Sequence, residues 1–262
     1  MDVAFYDQRV SEKVPTSDNP EMVALVDRIE KWCQIDHGNR VLDFGCYDGF
    51  VLRSLRARKN IHGVGVDIAP SAIELANRIP HSPDLEFVVS DGRALPFENS
   101  AFDVVVCSEI LEHVPDLDGA LAELSRVLSP RGILYATMPN SLRDVWPPFR
   151  PLCRRIDRIE GHLRRMSRNE FASAMASHGL KPLRARYRGF AFTAVWYGKL
   201  IYTPTVKSFG FRLLDNQKSV VRRASRLAAH IGMHAYMLAD RPFAKYHGCL
   251  TIDGAFIKHQ AF

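Results

Sequence analysis

Short apolar runs alternate with amphipathic stretches along most of this chain. From residue 40, strand-like runs follow one another: RVLDF, IHGVGVD, LEFVVS, FDVVVC, GILYATM and LKPLRARY. Apolar residues at helical spacing predict helices near residues 49–58, 70–79, 117–128 and 167–177. Alternating strands and helices are typical of parallel strands joined by helical crossovers, so the pattern predicts an open α/β sheet. The strands are nearly continuous apolar runs, which indicates that both faces of the sheet are covered.

The two ends of the chain depart from this alternation. PEMVALVDRIEKWCQI predicts a helix in an N-terminal helical segment, residues 1–38, with Asp18 or Asn19 as its N-cap and Pro20 in its first turn. Beyond the core of residues 39–188, the aromatic run GFAFTAVWYGKLIYTPTV and an amphipathic pattern over 219–239 predict a helical insertion, residues 189–246. We expect this insertion to lie as a lid over the ligand-binding edge of the sheet. CLTIDGAFIKH predicts the last strand, within 247–262, of what we interpret as a single domain.

Composition excludes several classes of protein. With 262 residues, 47% of them hydrophobic and 24% charged, the chain has the make-up of an ordinary soluble globular protein. Its five cysteines are scattered, odd in number and without a C-x-x-C pair, which argues against a disulfide framework or a cysteine zinc site and suits the cytoplasm. We find no signal peptide and no apolar run of about 18 residues, the length that a spanning helix needs.

The net charge is +6, and arginines crowd the stretch from residue 143 to residue 188. Two interpretations stay open. The arginines form a solvated basic face, or they attract an anion such as a phosphorylated or carboxylated substrate, a membrane surface or RNA. The amphipathic pattern over 219–239 is likewise compatible with a peripheral membrane contact, a homodimer face or a core of its own.

The turn after the first predicted strand is the most informative stretch. In VLDFGCYDGF, Gly45 and Gly49 frame a turn at the carboxyl end of a strand, where open α/β sheets bind their ligands. A dinucleotide-binding G-x-G-x-x-G turn would have glycine where Tyr47 and Phe50 stand, and the lysine of a P-loop is absent. The turn therefore favours a nucleoside-like ligand with no phosphate at this point, such as S-adenosylmethionine.

Acidic residues follow at the ends of the next strands. Asp67 ends the second strand about twenty residues beyond the glycines, where a carboxylate accepts hydrogen bonds from ribose hydroxyls. Asp91 is placed to accept from an adenine amino group, Asp43 to hold the loop or an ammonium group, and Ile68 to pack on the base. Each has a simpler alternative: Asp67 as a helix cap, Asp91 as a turn residue beside Gly92, and the glycines as parts of a tight turn.

Taken in order, four segments resemble the class I S-adenosylmethionine-dependent methyltransferases, in particular the small-molecule type related to ubiquinone-pathway enzymes. They are VLDFGCYDG, VGVDIAPSAIELA, SDGRALPFENSAFDVVVCSEILEHV and LAELSRVLSPRGILYATMPN, and the resemblance covers residues 40–187. It implies a Rossmann-like sheet of seven mostly parallel strands with an antiparallel last strand, helices on both faces, and S-adenosylmethionine as methyl donor. The cofactor contacts that we predict are Asp43, Gly45, Gly49, Asp67, Ile68, Asp91, Gly92 and Ser108. Tyr47 departs from the family pattern, which has glycine there.

Methyl transfer needs a base only if the acceptor loses a proton during the attack. We predict His113, in SEILEHV, and His162, in IEGHLRRMS, as catalytic residues facing the acceptor; a structural role for His113 at the start of a crossover helix stays open. Glu-x-x-Glu-His with a distant histidine also resembles the divalent-ion ligands of ubiquinone O-methyltransferases and of plant small-RNA 2′-O-methyltransferases. That resemblance would make Glu109, Glu112, His113 and His162 ligands of Mg²⁺, Mn²⁺ or Zn²⁺. Our site prediction assigns no metal.

The function predicted from these features is methyl transfer to a small-molecule acceptor, amphiphilic in character, such as a quinone or lipid precursor, a sugar or a natural product. RNA methylation is an alternative that the arginines favour, but CSEI stands where many nucleic-acid amino-methylating enzymes carry [DN]-P-P-[YF], and no RNA-binding module is evident. A non-catalytic, regulatory protein that binds S-adenosylmethionine is the other alternative.

Overall fold

The computed structural model of the chain describes residues 3–12, 20–188 and 251–259. The helices are α1 (Val3–Glu12), α2 (Pro20–Trp32), α3 (Phe50–Lys59), α4 (Pro70–Arg78), α5 (Leu117–Val127), α6 (Arg150–Glu160) and α7 (Arg168–Ala176), with a 3-10 turn at Pro147–Phe149. The strands are β1 (Arg40–Phe44), β2 (His62–Asp67), β3 (Leu85–Val89), β4 (Phe102–Cys107), β5 (Leu128–Pro139), β6 (Leu180–Arg188) and β7 (Thr251–Lys258). Among the described residues, no helix combines the length and the apolar character needed to cross a membrane.

The strands form one seven-stranded sheet in the order β3-β2-β1-β4-β5-β7-β6. β1 to β5 pair in parallel, whereas β7 runs antiparallel between β5 and β6. This confirms the predicted sheet with its antiparallel last strand. Strand order reverses between β1 and β4, so the loops that follow these two strands flank the switch point where α/β sheets bind their ligands.

The central strands β1, β4 and β5 are buried on both faces of the sheet, as their apolar sequences predict. Within β4, Val104 and Val106 pack into a core with α2, α3 and α4, while Val105 and Cys107 pack into a second core with α5 and α7. Side chains alternate between the faces of a strand, and a strand that is apolar at every position therefore supplies both cores.

Two parts of the sequence prediction need comment. α6 lies in an arginine-rich stretch for which we predicted no element, because its charged residues obscure the apolar period and only Cys153 is buried. The predicted insertion at 189–246, its helix at 219–239 and the caps Asp18 and Asn19 lie outside the described residues. The division of the chain into segments therefore stays a prediction.

Candidate active site

The loop between β1 and α3 has a backbone that glycine permits. Gly45 and Gly49 have φ values of +85° and +74°, in the left-handed region that favours glycine. A Cβ on Gly45 would collide with the side chain of Ile110, and one on Gly49 with the ring of Phe87. The two glycines therefore allow the loop to lie against the loop after β4 and against β3. The loop is also tied to β2, because the N–H groups of Gly45 and Cys46 both donate to the Val66 carbonyl, at 2.7 and 3.0 Å.

Tyr47, the departure from the family pattern, also has a left-handed backbone, with φ +49°. This conformation costs a residue with a side chain about 1–2 kcal/mol. The Tyr47 N–H donates to Asp67 Oδ2 at 3.0 Å, and this charge-assisted hydrogen bond offsets part of that cost. The tyrosine thus keeps the turn that glycine makes in the family.

Asp67, at the end of β2, accepts hydrogen bonds both from the loop after β1 and from the residue that precedes α4. Besides accepting from Tyr47, it accepts from the Ala69 N–H through Oδ1 at 3.0 Å, just ahead of α4. Its structural role in the turn is therefore visible, and its contact with ribose stays a prediction. Cys46 packs against Gly65 of β2, and burial raises the pKa of its thiol, as expected of a small apolar filler.

Three aspartates give this edge of the sheet a concentrated negative charge. Asp43 is buried in β1, and its burial, with Asp67 and Asp48 nearby, raises the pKa of its carboxyl group to about 7. Asp48 is also buried and accepts from the Phe50 N–H at 3.0 Å. A cationic ligand would relieve the repulsion among these groups. S-adenosylmethionine carries a sulfonium and an ammonium group, so the residues present fit this cofactor.

The remaining predicted cofactor residues lie on the loops at the same edge. Asp91 is exposed, accepts from the Arg93 N–H at 3.1 Å and forms an ion pair with the Arg93 side chain. Gly92 has φ +73°, and a Cβ there would meet the ring of Phe44, so the loop after β3 packs on the end of β1. Ile68 and Ser108 are half-buried, directly beyond β2 and β4. The turn role of Asp91 is visible, and its contact with adenine stays a prediction.

The two predicted catalytic histidines lie side by side. The rings of His113 and His162 are 4.9 Å apart between centroids, although 49 positions separate them in sequence. Tyr6 of α1 packs edge-on against His113 at 5.8 Å. The segment carrying His162 is fixed to the loop after β4, because the Leu163 N–H donates to the Glu112 carbonyl at 2.8 Å.

Glu112 completes a cluster with the histidines, and one ligand atom of each residue lies within 4.8 Å of the others. Its side chain is fully buried, and neither carboxylate oxygen has a hydrogen-bond partner of good geometry among the described residues. Burial and the nearby Glu109 raise the pKa of Glu112 well above its usual range. A cluster of one carboxylate and two imidazoles is suited to a divalent transition-metal ion or Zn²⁺.

Glu109 lies near Glu112 and has further partners outside the cluster. It has a left-handed φ of +57°, its N–H donates to Thr137 Oγ1 at 2.7 Å, and its carboxylate accepts from Arg188 at 2.5 Å. Of the four ligands that the resemblance implied, the structure brings Glu112, His113 and His162 together, while Glu109 forms an ion pair with Arg188.

Two residues that support His162, namely Asp157 and Arg165, were not predicted from the sequence. Asp157 Oδ1 lies 2.9 Å from His162 Nδ1, and Arg165 donates to both oxygens of Asp157. The signal for this arrangement was the spacing Asp157-x₃-Gly161-His162, in which a glycine ends a helix and turns the chain back on it.

Comparisons with known proteins show that part of this chain is similar to methyltransferases. Residues 42–136 match a family model described as a methyltransferase domain. Phthiotriol/phenolphthiotriol dimycocerosates methyltransferase of Mycobacterium leprae (strain TN) is 37% identical over 112 residues, which are 42% of this chain and 42% of that protein. Ubiquinone biosynthesis O-methyltransferase of Paracidovorax citrulli (strain AAC00-1) is 35% identical over 107 residues, 39% of this chain and 44% of that protein. The matched region thus spans less than half of these relatives.

Among solved structures, Haemonchus contortus phosphoethanolamine N-methyltransferase 2 in complex with S-adenosyl-L-methionine shares the fold, with a TM-score of 0.63. It is 15% identical, and the match covers 91% of this chain and 53% of that one. The sheet order and the glycine turn define a Rossmann-like fold with a candidate cofactor site at the carboxyl ends of its strands. Residues 42–136 of the chain are thus similar to a methyltransferase domain, and the residues of the site fit S-adenosylmethionine as a cofactor.

Proposed function

We propose that this protein transfers a methyl group from S-adenosylmethionine to a small-molecule acceptor, and that His113 and His162 face the acceptor. The observation that carries the proposal is the contact between Gly45 and Ile110. It brings the cofactor loop against the loop that bears Glu112 and His113. A methyl group held by the first loop would therefore lie close to the histidines on the second.

The residues of the chain have distinct tasks in this proposal. When bound, S-adenosylmethionine supplies an electrophilic methyl carbon attached to a positively charged sulfur. Asp43 and Asp67 hold the ammonium and ribose ends, which keeps the methyl group aligned with the attacking atom, and alignment can provide much of the rate enhancement. His162 accepts the proton that a hydroxyl or amine acceptor loses during the attack.

The names of the relatives support an acceptor among quinone or lipid precursors, because they include phthiotriol dimycocerosates and ubiquinone biosynthesis. An amphiphilic acceptor with an anionic or polar head is consistent with the arginines around residues 143–165 and with the aromatic sequence of the insertion. RNA methylation and regulatory cofactor binding are the competing outcomes of the test.

The cofactor site is tested by replacing Asp67 and measuring S-adenosylhomocysteine binding by calorimetry. Loss of two charge-assisted hydrogen bonds to ribose in Asp67→Ala should weaken binding by about 2–4 kcal/mol. Asp67→Asn keeps a side-chain oxygen that accepts from the Tyr47 N–H. Comparison of this variant with Asp67→Ala separates the effect of losing the loop contact from the effect of losing the ribose contact. Affinity equal to that of the wild type in both variants would reject the assignment.

The acceptor is identified by incubating the protein with the donor and a metabolite or lipid extract, and searching for products heavier by one methyl group. Turnover should fall in His113→Ala or His162→Ala while the affinity for S-adenosylhomocysteine is preserved. Full turnover in both variants would remove the histidines from catalysis. Methylated RNA as the main product would favour the RNA alternative, and the absence of any product would favour the regulatory one.

The carboxylate of Glu112 is buried and has no hydrogen-bond partner of good geometry among the described residues, and this favours a second possibility at the site, a bound divalent ion. Glu112, His113 and His162 would hold the ion, which would supply a positive charge that orients an acceptor oxygen and lowers its pKa. Metal content after dialysis would be compared between the wild type and Glu112→Gln, together with turnover after chelation. Stoichiometric metal in the wild type alone would support this arrangement, and full turnover without metal would contradict it.

A further inference from the structure

His162 is held by the end of α6. Gly161 terminates the helix with φ +75°, and the N–H groups of Gly161 and His162 both donate to the Asp157 carbonyl, at 2.9 and 3.0 Å. This turn folds the imidazole back on the side chain of Asp157, where Nδ1 lies 2.9 Å from Oδ1. Only 9% of the His162 side chain is exposed, so the ring has little freedom to reorient.

Asp157 is fixed in turn by Arg165. The Arg165 Nε donates to both carboxylate oxygens, at 2.9 and 2.8 Å, and its terminal nitrogens donate to the carbonyls of Asn140 and Cys153. Because the Arg165 guanidinium donates to both oxygens, Asp157 is held as a carboxylate, which can only accept hydrogen bonds. The Nδ1–Oδ1 contact therefore calls for a proton on Nδ1 of His162.

The side chain of the neighbouring Arg164 holds this unit against the loop after β4. Arg164 donates to the carbonyls of Leu111 and Pro115, at 2.7 and 2.9 Å, and also to that of Val114. Because Nδ1 is engaged with Asp157, Nε2 is the ring nitrogen that keeps a lone pair. His113 and Glu112 lie beside that ring.

We propose that Asp157 is a positioning residue for His162. Together with Arg165 it selects the tautomer with a proton on Nδ1 and leaves the Nε2 lone pair for the reaction. This inference rests on the proposed function, in which Nε2 takes the proton that the acceptor releases as the methyl–sulfur bond breaks. The bonding pair then stays on sulfur, and the Asp157 carboxylate stabilises the resulting imidazolium.

The test is Asp157→Asn, which keeps the volume of the side chain but offers an amide N–H toward the histidine. We expect long-range ¹⁵N NMR of the imidazole nitrogens, in the S-adenosylhomocysteine complex, to show the Nδ1–H form of His162 in the wild type. In the variant it should show a shift toward the Nε2–H form. Turnover should fall about 100-fold, the lower end of what a general base contributes, with S-adenosylhomocysteine affinity unchanged within twofold.

The chain offers a matched control in a second pair, His178 and Asp118, whose Nε2 and Oδ1 atoms are 2.8 Å apart. His178 lies at the start of β6, the opposite end of the strand from the site. Asp118→Asn makes the same chemical change and should alter the NMR signals of His178 alone, with turnover unchanged.

Three outcomes would overturn the proposal. The first is an Nε2–H form of His162 in the wild type, a measurement that requires no variant. The second is a tautomer shift in Asp157→Asn with normal turnover. The third is a loss of turnover with the tautomer unchanged, which would assign Asp157 a structural role only. The NMR measurements need no acceptor, so failure to find any methylated product would count against methyl transfer and would leave the result for Asp157 standing.

Discussion

The buried carboxyl group of Asp43 makes both the stability of the protein and its binding of ligand depend on pH. Asp43 lies in β1, and burial with two neighbouring aspartates raises the pKa of its carboxyl group to about 7. In the unfolded chain the same group titrates near 4. The folded protein therefore holds this proton more tightly, and the contribution of Asp43 to stability declines as pH rises from about 4 to 7.

The folded protein without ligand favours the protonated form of Asp43. Binding of S-adenosylmethionine should reverse this preference, because the ligand's ammonium group favours the ionised carboxylate. We predict that S-adenosylhomocysteine, which has the same ammonium group, binds more tightly as pH rises through about 7. Binding near pH 7 should release a fraction of a proton, measurable by calorimetry in buffers of different ionisation enthalpy.

Asp43→Asn is the matching variant, since it keeps the size of the side chain and cannot titrate. Its affinity should be nearly constant across this pH range, and its binding should release no proton. A pH dependence equal to that of the wild type would show that Asp43 does not contact the ammonium group.

At the scale of elements, β7 depends on an ion cluster at its centre. Asp253 is fully buried and lies within 3.0–3.1 Å of Arg28 of α2 and of Arg186 and Arg188 of β6. Burial alone would raise the pKa of Asp253, but the three arginines outweigh burial and lower it. The cluster thereby fastens β7 to β6 and to α2, and Arg188 extends it to Glu109 at the active site.

Asp253→Asn should destabilise the protein by about 3–5 kcal/mol, because it leaves buried arginines without their counter-ion. Urea unfolding is the measurement. Glu74→Gln is the control, since it breaks an exposed pair with Arg78 and should have no measurable effect. Stability that is unchanged in Asp253→Asn would show that the arginines find sufficient partners without this carboxylate.

The pH dependence of this contribution has a definite sign. Because the folded pKa of Asp253 lies below its unfolded value of about 4, its stabilisation is complete above that value. It should be lost as pH falls through the folded pKa. Unfolding of Asp253→Asn should lack this component at acid pH.

The arginines between residues 143 and 188 separate into two groups at this scale. Arg164, Arg165, Arg186 and Arg188 bind backbone carbonyls or buried carboxylates, and they are structural. Arg154 and Arg158 are exposed on α6. The two interpretations of the sequence, a basic face or an attraction for anions, therefore concern fewer residues than the composition suggested.

At the scale of the whole molecule, acceptor selection remains a sequence-based prediction. The aromatic run within residues 190–205 lies outside the described residues. We predict that deleting 190–205 abolishes methyl transfer and leaves cofactor binding nearly intact, because the described cofactor residues all precede it. Calorimetry with S-adenosylhomocysteine and a product assay check the two parts, and circular dichroism confirms that the shortened chain folds. Normal methylation by the folded deletion variant would contradict the prediction.

The salt dependence of acceptor binding is a separate test, made on the whole protein. Attraction between arginines and an anionic head should weaken as salt rises, whereas burial of an apolar part should not. We therefore expect a shallow salt dependence of acceptor binding. A steep dependence, as many phosphate contacts impose, would indicate RNA as the acceptor.

The sequence by itself determined the sheet and the cofactor edge, because both depend on local signals. Apolar periodicity marks the strands and the helices α2 to α5 and α7, and strand–helix alternation predicts parallel pairing in the core of the sheet. The positive φ values at Gly45 and Gly49 belong to a turn whose chemistry can be read from a few adjacent residues. Asp43, Asp67 and Asp91 could be located because they end or follow recognisable strands, and the carboxyl ends of parallel strands meet at one edge.

Only the tertiary structure decided which polar groups meet. His113 and His162 are 49 positions apart, and no periodicity predicts that α6 carries one histidine to the other. The pattern grouped Glu109 with them, and the structure adds a partner from the end of β6, because Arg188 donates to the Glu109 carboxylate. Asp253 and its arginines likewise come from three elements distant in the chain. Burial makes an unpaired charge costly, so packing, which brings distant residues together, selects the partner of each buried polar group.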